Sequence, residues 1–195
     1  EKKGVAEMKP TFYRILEDCP VIAAVKDDQA LEASLRSPCQ IIFVLYGDIC
    51  NVGQIVSRIK EEGRVAMVHL DLITGLDGRE IAVDYIKERT GADGIISTKT
   101  TQIRYAKEKG LYAIHRFFAL DSRSLENIYK QSMAGGPDCI EILPGLMPRV
   151  IERAVKVQKL SVIAGGMIES KEDVMMALKA GAAAVSTTRQ ELWFV

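Results

Sequence analysis

The sequence predicts a single-domain TIM-barrel-like (β/α)8 fold with parallel strands. Eight short apolar runs rich in valine and isoleucine recur along the 195 residues. Stretches with the polar and apolar spacing of helices fill the gaps between these runs. Alternating strands and helices build parallel sheets, and near-continuous apolar runs are buried on both faces. Because eight strands are the number that closes a barrel of this type, we expect a closed barrel.

The elements follow one another in a regular order. An amphipathic segment at residues 10–18 comes first, so we expect an N-terminal helical segment over 1–20 and the barrel over 21–195. The predicted strands are VIAAV, QIIFVLY, RVAMVHL, GIIST, YAIHRFF, CIEIL, SVIA and AAAVST. Glycines mark the expected ends of helices at Gly63, Gly91, Gly110, Gly136 and Gly181. Since the tail RQELWFV is short for an eighth helix, an open doubly wound sheet is the alternative.

Composition excludes several classes of protein. Lysine and arginine number 26, as do aspartate and glutamate, so no overall charge attracts nucleic acid or anionic membrane. The four cysteines have neither CxxC nor zinc spacing, which favours reduced thiols in a cytoplasmic protein without a metal site. The apolar runs are too short to span a bilayer.

Two neighbouring strand ends predict a phosphate site. Gly165 and Gly166 follow the seventh apolar run, and Ser186, Thr187 and Thr188 end the eighth. Barrels that bind phosphate esters commonly hold the phosphate between the loops after strands seven and eight. Glycine amides lack a Cβ and can approach phosphate oxygens closely, while threonine supplies further donors. A tight turn followed by a helix cap is the structural alternative for the glycine pair.

Other polar side chains follow strands at the same end of the predicted barrel. We expect four of them to contact the ligand: Asp27, Asp71, Lys99 and Glu141. Glu141 interrupts an apolar strand, and a buried carboxylate is costly unless it is paired. Lys99 across the barrel mouth and Arg116 are the candidate partners.

Asp71 lies two residues after His69, so both side chains are expected on one face of the strand end. The two groups could orient each other, or Asp71 could accept hydrogen bonds from ligand hydroxyls. Together Asp71, Lys99 and Glu141 suit general acid–base chemistry on a triose or sugar phosphate. They equally suit a polyol phosphate that is bound and left unchanged.

The whole pattern resembles the glycerol uptake operon antiterminator family of bacteria. The matching segments are AVKDD, VHLDLITGL, DGIISTKT, AKEKGLYAIHRFFALDS, PDCIEILPGLMP, IAGGMIESKEDV and AGAAAVSTTRQELW. The resemblance implies an RNA-binding regulator that responds to glycerol 3-phosphate and permits transcription past a terminator in the leader of a glycerol-utilisation messenger. It implies no cofactor beyond that effector and carries over no catalytic residue. His115 departs from the pattern, which is expected to have glutamine before the arginine.

RNA binding by a chain of zero net charge requires a local cationic patch. The sequence offers three candidate patches. It does not decide whether the chain forms a homo-oligomer. The candidates are Arg58 with Lys60 and Arg64, Lys107 with Lys109, and Arg149 with Arg153 and Lys156. The alternatives to the regulator are a phosphate-binding barrel enzyme (an isomerase, aldolase or prenyl transferase acting on a triose or polyol phosphate) and a barrel that binds a metabolite and a protein partner.

Overall fold

Eight parallel strands, each hydrogen-bonded to the next along the chain, form a closed barrel in which the last strand pairs with the first. The computed structural model describes residues 12–157 and 160–195, apart from the side chains of Ser122 and Tyr129. The predicted barrel is confirmed, and the open-sheet alternative is wrong because β1 and β8 pair directly.

The strands follow the apolar runs but are shorter than several of them. They are β1 Val21–Val25, β2 Ile41–Val44, β3 Val65–His69, β4 Gly94–Ser97, β5 Tyr112–Phe118, β6 Cys139–Leu143, β7 Ser161–Gly165 and β8 Ala184–Thr187. Successive side chains alternate between the barrel interior and the surrounding helices, as the period of two requires.

A helix fills each gap between strands. The helices are α1 Phe12–Asp18, α2 Asp28–Arg36, α3 Val52–Glu61, α4 Ile81–Thr90, α5 Thr100–Glu108, α6 Ser122–Gly135, α7 Pro148–Val157 and α8 Lys171–Lys179. Two short 3-10 helices, Leu70–Leu72 and Gln190–Phe194, follow β3 and β8. All five glycines predicted at helix ends adopt positive φ, from 60° at Gly136 to 96° at Gly181.

Two apolar layers hold the barrel together. The interior layer comes from alternate strand residues, among them Ile22, Phe43 and Met67. The outer layer joins the other strand face to the helices. Helix α1 closes the N-terminal end of the barrel, where Phe12 stacks on Tyr112 with ring centroids 4.8 Å apart.

No helix within residues 12–157 and 160–195 is long and apolar enough to cross a membrane. The four cysteines are all free thiols, as their spacing predicts.

Candidate ligand site at the carboxyl ends of strands five to eight

A cavity of about 150 Å³ opens at the carboxyl ends of the strands, between the segments that follow β7 and β8. The strand ends, the two loops and two apolar side chains line it: Ala24, Leu45, Arg116, Glu141, Leu143, Gly166, Met167, Ile168, Glu169, Ser186, Thr187, Thr188 and Arg189. Five of the predicted site residues therefore lie around one space: Glu141, Gly166, Ser186, Thr187 and Thr188.

Glu141 forms the base of this cavity. Its side chain is fully buried, and Arg116 Nε donates to Glu141 Oε2 at 2.6 Å. The Ser186 hydroxyl donates to Glu141 Oε1 at 2.6 Å. Both carboxylate oxygens are thus satisfied, which offsets the cost of burying the charge. The expected pairing with Lys99 across the barrel mouth is wrong, and the Arg116 alternative is confirmed.

Arg116 is the functional candidate that the sequence indicated only as a partner for Glu141. The residue is 9% exposed and lines the cavity. Within the described residues, only Nε has a hydrogen-bond partner, so the two Nη groups keep their donors for another acceptor. A signal was present in the sequence, because Arg116 interrupts an apolar strand on the same face as the buried Ile114.

Gly165 leaves room for the buried side chains of Glu141 and Ser186. A Cβ at this position would lie 2.5 Å from Glu141 Oε1 and 2.6 Å from Ser186 Oγ. Any larger residue would therefore displace either the carboxylate or the hydroxyl. The glycine is required by the side chains inside the barrel, and it does not line the cavity itself.

The backbone after β7 turns sharply. Gly166 and Met167 have φ of 75° and 61°, both in the left-handed region. For Met167 this conformation costs about 1 kcal/mol, and strain of this kind concentrates at functional sites. Within the described residues Met167 and Thr188 have no hydrogen-bond partner, and both line the cavity. Their amides are donors of the kind that a phosphate cradle needs.

The three polar residues at the end of β8 have different environments. The Ser186 hydroxyl is used by Glu141, and Thr188 is exposed at the cavity. The Thr187 hydroxyl donates to Ile168 O at 2.8 Å and accepts from Arg189 N at 3.1 Å. Thr187 therefore joins the loops that follow β7 and β8. Contact between these residues and a phosphate stays a prediction.

An ion pair connects the two loops at the cavity rim. Arg189 Nη2 lies 3.0 Å from Glu169 Oε1, and both side chains line the cavity. Both are more than half exposed, so the pair is weak and its partners can exchange. The charges around the cavity are two arginines and two glutamates, and Arg116 with Glu141 already form one neutral pair.

Asp71 and Lys99 form a separate group beyond β3 and β4. Lys99 Nζ lies 2.7 Å from Asp71 Oδ1, and Thr98 N donates to Asp71 Oδ2 at 2.9 Å. Burial raises the pKa of the Asp71 carboxyl, but these hydrogen bonds outweigh it and hold the pKa below its usual range. Neither residue lines the cavity.

The two histidines are buried and neutral. His69 Nδ1 lies 3.8 Å from Asp71 Oδ2, too far for a hydrogen bond, because β3 ends at His69 and a 3-10 turn begins. Burial, assisted by the charge of Arg116, lowers the pKa of His69 to about 3. His115 packs on Phe117 in the outer layer, and burial lowers its pKa to about 4.

Asp27 has a structural role as the cap of helix α2. Its side chain accepts from Ala30 N at 2.7 Å and caps the N-terminus of α2. Asp27 is not among the residues that line the cavity. Its predicted contact with a ligand remains a prediction.

Two of the three predicted cationic clusters are occupied by ion pairs or backbone contacts. Arg58 pairs with Asp28 and Glu32, and Arg64 donates to backbone carbonyls. Three further ion pairs each join a lysine to an aspartate of a neighbouring segment: Lys60 with Asp93, Lys107 with Asp138, and Lys109 with Asp84. The third cluster, Arg149, Arg153 and Lys156, has no ion pair within the described residues.

The chain matches a family model and a known bacterial protein over most of its length. The model of the family described as glycerol-3-phosphate responsive antiterminator matches residues 21–193. A protein of Escherichia coli strain K12, described as the uncharacterized protein YgcP, is 45% identical over 182 residues, which cover 93% of this chain and 95% of that protein.

Two solved structures have the same fold and related sequences. One is a glycerol uptake operon antiterminator regulatory protein from Listeria monocytogenes, with a TM-score of 0.85 and 31% identity over 89% of this chain and 94% of that chain. The other is a glycerol uptake operon antiterminator-related protein from Thermotoga maritima, with a TM-score of 0.79 and 34% identity over 89% and 96% of the two chains.

Proposed function

Because this chain belongs to the glycerol-3-phosphate responsive antiterminator family, we propose that it binds glycerol 3-phosphate in the β7–β8 cavity and RNA elsewhere on its surface. The regulator acts in the cytoplasm, where it permits transcription past a terminator in the leader of a glycerol-utilisation messenger. Family membership supports the regulatory role, and the cavity supports the class of effector.

The observation that carries the proposal is the free end of Arg116. A buried guanidinium fixed at Nε by Glu141 presents its remaining donors to a cavity that is also lined by Met167 and Thr188. Planar, doubly donating groups of this kind recognise phosphate oxygens. A phosphate monoester at this position would meet one arginine and backbone amides, without the need for a metal ion.

The rest of the ligand has an acceptor nearby. Each oxygen of a carboxylate has more than one lone-pair direction, so Glu141 can accept from a hydroxyl while it keeps Arg116 and Ser186. A glycerol backbone attached to the phosphate brings two hydroxyl donors to this carboxylate. We therefore assign phosphate recognition to Arg116 and the loop amides, and hydroxyl recognition to Glu141.

The local chemistry favours binding over turnover. Both oxygens of Glu141 already accept charge-assisted hydrogen bonds, from Arg116 Nε and the Ser186 hydroxyl, which suits this carboxylate to hold a ligand hydroxyl. Burial raises the pKa of Asp71, but its hydrogen bonds from Lys99 and Thr98 outweigh burial and lower the pKa overall. Asp71 is therefore a weak base. A regulator needs only that the ligand binds the RNA-competent conformation more tightly than the other.

Titration calorimetry of the full chain tests the effector. We expect glycerol 3-phosphate to bind at one site per chain, while glycerol and inorganic phosphate at equal concentration bind much more weakly. Phosphorus NMR of the same mixture after prolonged incubation should show unchanged glycerol 3-phosphate. The absence of binding heat would contradict the effector, and the appearance of a product would establish an enzyme instead.

A further inference from the structure

We propose that the face formed by α6 and α7 is the surface that binds RNA, with single-stranded RNA lying along the groove between the two helices. This inference rests on the proposed function, because it names the place of the macromolecular partner. It is carried by the charges that remain unpaired on this face and by the apolar groove between them.

Among residues 12–157 and 160–195, the cations of this face have no ion pair, unlike most of those in the other two candidate clusters. Helices α6 and α7 carry five cations, Arg123, Lys130, Arg149, Arg153 and Lys156, against two carboxylates, Glu126 and Glu152. All five cations are exposed, and within the described residues none of them has an ion pair. The face thus has an excess of positive charge on a chain whose net charge is zero. Phosphate contacts require such unpaired cations.

The groove adds an apolar surface between these charges. A cavity of about 290 Å³ separates α6 from α7, and its lining includes Leu125, Ile128, Val150 and Val157. Lys130 and Arg153 belong to the same lining, so the groove combines cationic and apolar side chains. Val157 is 50% exposed in the absence of a partner.

This combination favours a single strand over a duplex. Unpaired bases can cover apolar side chains while their phosphates contact arginine and lysine, whereas the bases of a duplex are stacked inside it. Glu126 also lines the groove and would repel phosphate locally, which restricts the path of the backbone to the side of Lys130 and Arg153.

The position of the groove connects it to the ligand cavity. Helix α6 follows β5, the strand that carries Arg116, and α7 follows β6, the strand that carries Glu141. The two connections span residues 119–121 and 144–147. A ligand that engages Arg116 and Glu141 therefore acts on the two strands that lead directly into the groove helices.

A charge-reversed variant tests this surface. Arg149→Glu/Arg153→Glu is measured by gel shift on the leader RNA of the glycerol-utilisation messenger, with a scrambled RNA of equal length for comparison. We expect at least a tenfold loss of RNA affinity, and a plot of log affinity against log salt that is shallower by about 1.4 for two lost single-strand phosphate contacts. Affinity for glycerol 3-phosphate should stay within twofold of wild type.

The matched control is Arg36→Glu/Arg89→Glu, which makes the same change in net charge at two exposed arginines of α2 and α4. We expect this variant to bind RNA like the wild type. Wild-type RNA affinity in the α6–α7 variant would overturn the proposed surface and leave the proposed function standing. A wild-type chain that binds no RNA with or without glycerol 3-phosphate would overturn the proposed function itself. Loss of a dimer in the α6–α7 variant during sedimentation, with unchanged RNA affinity per chain, would assign the face to self-association instead.

Discussion

Arg116 and Glu141 illustrate how two buried charges are tolerated beside a cavity. Each is stabilised by the other at 2.6 Å, and Ser186 completes the group. Removing one member of a buried pair leaves an uncompensated charge, while replacing both with apolar groups is often nearly neutral for stability. Stability and ligand binding can therefore be separated at this pair.

The variants Arg116→Met, Glu141→Leu and the double variant make that separation. We expect Arg116→Met to lower the free energy of unfolding by about 3–5 kcal/mol, because the carboxylate of Glu141 is left buried and unpaired. The double variant should recover most of this loss but should not bind glycerol 3-phosphate. Urea unfolding and calorimetry measure the two quantities. Recovery of ligand affinity in the double variant would show that the pair does not contact the effector.

Gly165→Ala tests the space around Glu141. A new Cβ only 2.5 Å from Glu141 Oε1 must displace the carboxylate or its partners, so we expect both lower stability and at least tenfold weaker ligand binding. The control is Gly91→Ala, where φ is 71° and no atom lies within 4 Å of the new Cβ. Gly91→Ala should cost about 1 kcal/mol of stability through backbone strain and leave ligand affinity unchanged. Equal ligand affinity in the two variants would contradict the assignment.

At the residue scale, the sequence predicted that Glu141 needs a partner and offered Lys99 and Arg116, but it did not decide between them. The choice depends on strand register, since Arg116 pairs directly with Glu141 across β5 and β6. A shift of one residue would place His115 inside the barrel instead. Local patterns contain no information about such register, whereas the period of two along β6 was enough to place Glu141 on the same face as Cys139 and Leu143.

The loops that follow β7 and β8 act as one element. Thr187 ties them through Ile168 O, and the Arg189–Glu169 pair spans the rim of the cavity. A phosphate that enters must compete with Glu169 for Arg189 or tolerate the nearby carboxylate. The Arg189–Glu169 pair therefore opposes phosphate binding as long as it is formed.

Glu169→Gln should raise the affinity for glycerol 3-phosphate about fivefold, because it removes one negative charge and frees Arg189, an effect of about 1 kcal/mol at an exposed pair. Arg189→Met should lower the affinity. The matched control is Glu172→Gln, an exposed carboxylate in the first turn of α8. Calorimetry at low salt measures the affinity of all three variants for glycerol 3-phosphate. If the Glu169 and Glu172 variants bind equally, the rim pair has no influence on the effector.

At the element scale, strand order and helix ends were predictable because apolar runs and stop glycines are local signals. Which cationic clusters are neutralised by ion pairs was not predictable. Lys60 and Lys107 meet Asp93 and Asp138, residues 33 and 31 positions away, and the pairing of neighbouring strands brings those partners together. A sequence pattern shows that charges are near one another along a helix, but not which of them are neutralised by the next segment.

Between pH 7 and pH 5, the two histidines of the molecule make its stability depend on pH. Both are buried, and burial lowers the pKa of His69 to about 3 and of His115 to about 4. The unfolded chain takes up protons near pH 6.5, where the folded chain does not. Stability contributed by neutral histidine is therefore complete above pH 6.5 and is lost as the pH falls towards 4.

Between pH 7 and pH 5 we expect the free energy of unfolding to fall by up to about 2 kcal/mol for each histidine. Urea unfolding at the two pH values measures this fall. His115→Gln keeps a group that can bond Thr98 O, and it should reduce the fall by about half. Equal stability of the wild type at pH 7 and pH 5 would show that the folded chain accepts these protons.

At the scale of the whole molecule, the barrel and the location of its polar end were predictable because strand number and strand ends are both visible in the sequence. The proposed RNA surface was one of three candidate clusters that the sequence could not rank, since a net charge of zero conceals an uneven distribution. The proposed coupling between glycerol 3-phosphate and RNA would be a property of the whole chain, and it requires a difference in affinity between two conformations.

The most direct test of that coupling is the affinity of the wild-type chain for leader RNA, measured by gel shift across a titration of glycerol 3-phosphate. We expect saturating glycerol 3-phosphate to strengthen RNA binding by about 5- to 150-fold, the usual range of coupling between two sites, and RNA to strengthen glycerol 3-phosphate binding by the same factor. RNA binding curves that coincide with and without glycerol 3-phosphate would contradict it.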